Sequence, residues 1–123
     1  MSHRLFIVVI DGDSSMRKAL TRLLRTAQMG VETYASTDEF LRSLDGRDPD
    51  CLILDAEMPG ITGTALRDRL VGMGHPIPVV CITAANGVDV TRHATGAEVL
   101  HKPFDDKSLL DAIGRAIRKR EAK

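Results

Sequence analysis

Three stretches of the chain are apolar at nearly every position: Leu5-Phe6-Ile7-Val8-Val9-Ile10, Cys51-Leu52-Ile53-Leu54 and Ile77-Pro78-Val79-Val80-Cys81-Ile82. Unbroken β-rich runs of this length mark strands covered on both faces, as in a parallel sheet with helices on either side. Val31-Glu32-Thr33-Tyr34 alternates and Glu98-Val99-Leu100 is brief, which suits strands at the edges. Between these runs the apolar period becomes helical. Met16, Leu20, Leu23, Leu24 and Ala27 predict a helix over about residues 15–28, with Ser14 or Ser15 as its cap and Gly30 as its stop. Ser36 and Glu39 form a capping box ahead of Phe40, Leu41 and Leu44. Thr62 or Gly63 starts a third helix, with Ala65, Leu66, Leu70 and Met73 facing inward. Residues 88–95 are the weakest helical stretch, polar and about two turns long. Leu109, Leu110, Ile113, Ala116 and Ile117 give residues 105–119 an amphipathic final helix.

Five predicted strands alternating with five helices imply a parallel sheet with right-handed crossovers and helices on both faces. With the greasy strands central and the short ones outside, the strand order is 2-1-3-4-5, a doubly wound, flavodoxin-like (βα)5 domain of the α/β class. At 123 residues the chain is one domain with its core over about 5–117, without repeats, linkers or a second domain. Charge adds little, because 17 basic and 17 acidic residues cancel and give no sign of a nucleic-acid partner. The basic cluster Arg115, Arg118, Lys119, Arg120 and Lys123 reads as the solvated end of a helix. No apolar run nears the roughly 20 residues of a membrane span, and Met1-Ser2-His3-Arg4 is too short for a signal peptide, so a cytoplasmic protein is expected. Cys51 and Cys81 fall at opposite ends of neighbouring strands, about 13 Å apart at ~3.3 Å per residue, too far for a disulfide. The four histidines lack metal-ligand spacing.

Chemistry gathers at the C-terminal ends of the strands. One buried strand ends in Asp55 and is broken within a few residues by Pro59-Gly60. An aspartate there can simply cap the next turn, but in the predicted order Asp11, Asp13, Thr83 and Lys102 share its mouth. Neighbouring carboxylates repel unless a cation lies between them, and hard oxygen donors with room for water suit magnesium. A lysine and a hydroxyl facing the same carboxylate are what a transferred phosphoryl group needs.

With these motifs the chain resembles the receiver (phosphoacceptor) domain of bacterial two-component response regulators over about residues 5–117. The resemblance rests on the acidic turn after the first strand, Asp55 followed by Met58-Pro59-Gly60 and Gly63, Thr83 ending the fourth strand, and Lys102-Pro103-Phe104. It is most similar to receivers that precede a LuxR-type helix-turn-helix output domain. The resemblance implies that Asp55 accepts a phosphoryl group from a histidine kinase, and that Mg2+ is held by Asp11, Asp55, the Glu57 carbonyl and Asp13. It further implies that Lys102 contacts the phosphoryl, that Thr83 is the switch hydroxyl and that Lys102-Pro103 is a cis peptide. Such a domain assists its own phosphorylation and dephosphorylation and is otherwise no enzyme. Its switching face, made of the fourth predicted helix, the fifth strand and the final helix, would meet an output domain, an output protein or a second copy, with neither nucleic acid nor membrane touched directly.

Three departures shape the expectations. Gly12 stands where the family usually has a second acid, which predicts weak Mg2+ binding. Val99 replaces the usual Tyr or Phe, and only 18 residues separate Thr83 from Lys102, a few fewer than usual. A β-branched Val99 has no ring to rotate, so a signal is expected to pass through Thr83 into residues 84–95. These departures favour one competing reading, a receiver-like interaction module without regulated phosphorylation. A haloacid-dehalogenase-like phosphatase is suggested by Ile10-Asp11-Gly12-Asp13 but needs a second acidic pair, whereas the fourth strand ends in Thr83-Ala84-Ala85-Asn86. An FMN site lacks a phosphate-cradling loop and ring-sandwiching aromatics, with three Phe, one Tyr and no Trp.

Overall fold

Five parallel strands form one sheet in the order β2-β1-β3-β4-β5 in a computed structural model that describes residues 4–44, 46–58, 62–84 and 98–121. The strands are β1 (Phe6–Ile10), β2 (Gly30–Tyr34), β3 (Cys51–Asp55), β4 (Val79–Thr83) and β5 (Glu98–His101). The helices are α1 (Ser14–Thr26), α2 (Thr37–Arg42), α3 (Gly63–Gly72) and α4 (Asp106–Glu121). The helix expected over residues 88–95 lies outside the described residues. Successive side chains of a strand point to opposite faces, so each central strand feeds two cores. Ile7, Val9, Ile53, Val80 and Ile82 pack with Leu20 and Leu24 of α1 and Leu109 and Ile113 of α4. Val8, Ile10, Leu52, Leu54 and Cys81 pack with Phe40 of α2 and Leu66 and Leu70 of α3. The unbroken apolar runs of β1, β3 and β4 are therefore what a three-layer sandwich requires.

Several local expectations are corrected. The cap of α1 is Asp13, whose side chain accepts a hydrogen bond from Ser15 N; Ser14 is already helical. The helix stops at Gln28, which takes the left-handed conformation (φ 70°), whereas Gly30 opens β2 and donates its N–H to Leu5 O at 2.8 Å. In α3 the buried positions are Gly63, Leu66 and Leu70. Ala65 falls off that stripe and is exposed, and Met73, the C-cap beyond the last helical residue, is 47 % exposed. Ser36 and Thr62 cap α2 and α3 as predicted, accepting from Glu39 N and Ala65 N. Leu54 is in register with Cys81, which sets Cys51 three residues back, roughly 10 Å along the strands at ~3.3 Å per residue. The two thiols also face opposite cores, and both are buried and outside any disulfide. No helix among the described residues is long and apolar enough to cross a membrane.

Candidate functional site

Strand register builds the site. Ile10 is level with Leu54, so Asp11 and Asp55 leave the sheet side by side at the ends of adjacent parallel strands. Asp55 is in turn level with Ile82, and Thr83 with His101, which steps Thr83 and Lys102 outward on the other flank. The Lys102 N–H donates to Thr83 O at 2.8 Å and fixes that step, and Lys102-Pro103 is cis, as the resemblance implies.

Each carboxylate is held differently. Asp11 is only 2 % exposed, and its Oδ1 accepts the Asp13 N–H at 2.9 Å. Burial pushes its carboxyl above the ordinary 3.8; the Asp13 N–H opposes that shift, Asp55 adds to it and Lys102 counters it. The charges of Asp55 and Lys102 thus both reach Asp11. Asp55 is half-buried and accepts the Glu57 N–H on Oδ1 at 3.0 Å; among the described residues its Oδ2 has no hydrogen bond. Asp13 is exposed, and one of its oxygens caps α1. Lys102 makes no ion pair among the described residues, which leaves its ammonium available to an incoming anion.

An open cavity of about 700 Å³ lies at the carboxylates, lined by Asp11, Asp13, Asp55 and Glu57 together with Asp38 and Arg69. Thr83 and Lys102 stand outside that lining, on the β4–β5 flank. Two participants were not legible in the sequence. Arg69 reaches the cavity from α3, which helical phase alone does not reveal. The Glu57 carboxylate, expected to serve only through its main-chain carbonyl, crosses to β4, where Oε2 accepts the Thr83 hydroxyl at 2.9 Å and Oε1 the Ala84 N–H at 3.2 Å.

The donor set bears on magnesium. Among the described residues no three acidic, imidazole or thiol side chains form a ready metal cage. Two level carboxylates, one of them driven up by burial, still fit a hard divalent ion that keeps several waters and takes few protein ligands.

The chain is similar to known proteins along nearly its whole length. Residues 7–114 match the family described as response regulator receiver domain. Over 115 residues it is 33% identical to nodulation protein W of Bradyrhizobium diazoefficiens, covering 91% of this chain and 51% of that protein. Over 118 residues it is 35% identical to the transcriptional regulatory protein FixJ of the same organism, covering 94% of this chain and 58% of FixJ. A crystal structure of full-length FixJ from B. japonicum superposes with a TM-score of 0.85 at 35% identity, covering 98% of this chain and 61% of that one. The chain thus spans about half the length of these curated relatives.

Proposed function

Because the chain belongs to the response regulator receiver family of two-component signalling, we propose that Asp55 is its phosphoacceptor and that Asp11, Thr83 and Lys102 serve the transfer. The reading rests above all on accessibility among level carboxylates. Asp11 is almost fully buried, Asp13 lies beyond the strand and caps α1, and Asp55 ends the middle strand half-buried, with no hydrogen bond on Oδ2 among the described residues.

In the transfer, Asp55 Oδ2 attacks phosphorus of a phosphohistidine. A P–O bond forms, the P–N bond breaks, and the histidine nitrogen keeps the electron pair and takes a proton from solvent. Lys102 meets the charge on the transferred group, and the Thr83 hydroxyl donates to one of its oxygens. Receivers characteristically use Mg2+, which supplies further charge neutralisation when bound. Here Asp11, Asp55 and the Glu57 carbonyl would hold it, with Asp13 or water in place of the carboxylate that Gly12 lacks. The donor is a histidine kinase, and the domain acts in the cytoplasm. The recipient is an output domain or protein, reached through β5 and α4. Val99 on β5 has no ring to exchange between two positions, so Thr83 carries the signal.

Incubation with acetyl phosphate should load the protein in the presence of Mg2+ and not of EDTA, and hydroxylamine should strip the acyl phosphate. Absence of loading under both conditions would favour a constitutive interaction module.

A further inference from the structure

One carboxylate holds two donors at the end of β4. Glu57 Oε2 accepts the Thr83 hydroxyl and Oε1 the Ala84 N–H, at 2.9 and 3.2 Å. The pair of oxygens therefore engages the last residue of β4 and the residue after it. Glu57 is placed for this by its own backbone, whose N–H is bound to Asp55 Oδ1. Thr83 is 2 % exposed, and a buried hydroxyl needs an acceptor in every state of the domain. Glu57, by contrast, is exposed, so its side chain can swing into water at little desolvation cost.

We propose that the Glu57 carboxylate is an internal anionic competitor that occupies the end of β4 until a phosphoryl group displaces it. The inference rests on Asp55 as acceptor and adds what opposes its loading. Two effects act together. The phosphoryl oxygens must take the Thr83 and Ala84 donors from an acceptor that is already charged. They also enter beside Asp11 and Glu57, whose charges repel them. Release of Glu57 then couples loading to a change of partner at Thr83. Glu57 is in this sense a positioning residue acting through Thr83.

The test compares wild type, Glu57→Gln, Glu57→Ala, Thr83→Ala and the Glu57→Ala/Thr83→Ala double variant. Beryllofluoride affinity at saturating Mg2+ and Mg2+ affinity alone are measured for each. Glu57→Ala should bind beryllofluoride roughly five- to tenfold more tightly than wild type, the net scale of one hydrogen bond made available to the ligand, with Glu57→Gln in between. Mg2+ affinity should stay within about twofold, and the gain should shrink when Thr83 is absent, the non-additivity expected of groups in contact. The proposal is overturned if Glu57→Ala binds no more tightly than a wild type that does bind, or if the gain persists undiminished without Thr83. A fall in Mg2+ affinity would also overturn it, by making the side chain a metal ligand. If no protein in the series, wild type included, takes up beryllofluoride, the Asp55 reading itself falls and this inference with it.

Discussion

Asp11 and Asp55 follow residues that pair in register, Ile10 with Leu54, so the two carboxylates emerge one strand spacing apart, about 4.8 Å between backbones. Burial chiefly pushes the Asp11 carboxyl above its ordinary value and the Asp55 charge adds to it, while the side-by-side carboxylates leave a local deficit of positive charge. Lys102 offsets part of that deficit. A divalent cation would offset the rest.

That deficit can be deepened by design. A Cβ at Gly12 would meet nothing within 4 Å, and Gly12 does not occupy the left-handed region that favours glycine. Gly12→Asp should therefore fold normally and bind Mg2+ at least several-fold more tightly in a calorimetric titration. Unchanged affinity would mean that Asp13 already fills the role.

Asp13 itself can be divided between its two duties. Asparagine caps a helix as well as aspartate does, so Asp13→Asn should leave stability to denaturant within about 0.5 kcal/mol, whereas Asp13→Ala should lose about 1 kcal/mol. If the charge also serves the metal, both variants should weaken Mg2+ binding equally.

Much of this was legible because the apolar pattern alone fixes the layers. Runs such as Phe6 to Ile10 and Cys51 to Leu54 have no polar side to show to water, so the sheet must be covered twice, and the strand order follows from which runs are greasy. The converging residues at the strand ends came with that order. What stayed hidden depended on side-chain reach and on caps. The left-handed turn fell on Gln28 rather than Gly30, because Gly30 is already paired beside Phe6. The α3 stripe through Gly63, Leu66 and Leu70 turned Ala65 outward. The bond from Thr83 to Glu57 joins residues 26 positions apart, and no local pattern encodes it.

Beyond the site, β5 is tied to α4 through Glu98, which accepts from Arg115 Nε at 2.9 Å and pairs with Lys119. Burial raises the Glu98 carboxyl, but the hydrogen bonds from Lys119 and Arg115 outweigh it and hold it below its ordinary 4.5. A carboxylate lowered on folding stabilises fully above its unfolded value and loses that contribution as pH falls through the folded one. Both cations are largely exposed, so Glu98→Gln should cost no more than about 1 kcal/mol at pH 7. The difference from wild type should vanish in acid, below pH 4.5, as read by urea unfolding across pH.

Burial also pushes the Cys81 thiol up to about 11. A thiol kept protonated and covered is a poor nucleophile. Both cysteines should resist a thiol-specific reagent at pH 8 in the folded protein and react fully in denaturant. Rapid native labelling would contradict the packing of the two cores.

The central claim is that Asp55 carries the phosphoryl group, and intact mass tests it most directly. After incubation with acetyl phosphate and Mg2+, wild type should gain about 80 Da, the mass of one phosphoryl group on a carboxylate nucleophile, and Asp55→Asn should gain nothing. An adduct of that mass on Asp55→Asn would contradict the assignment.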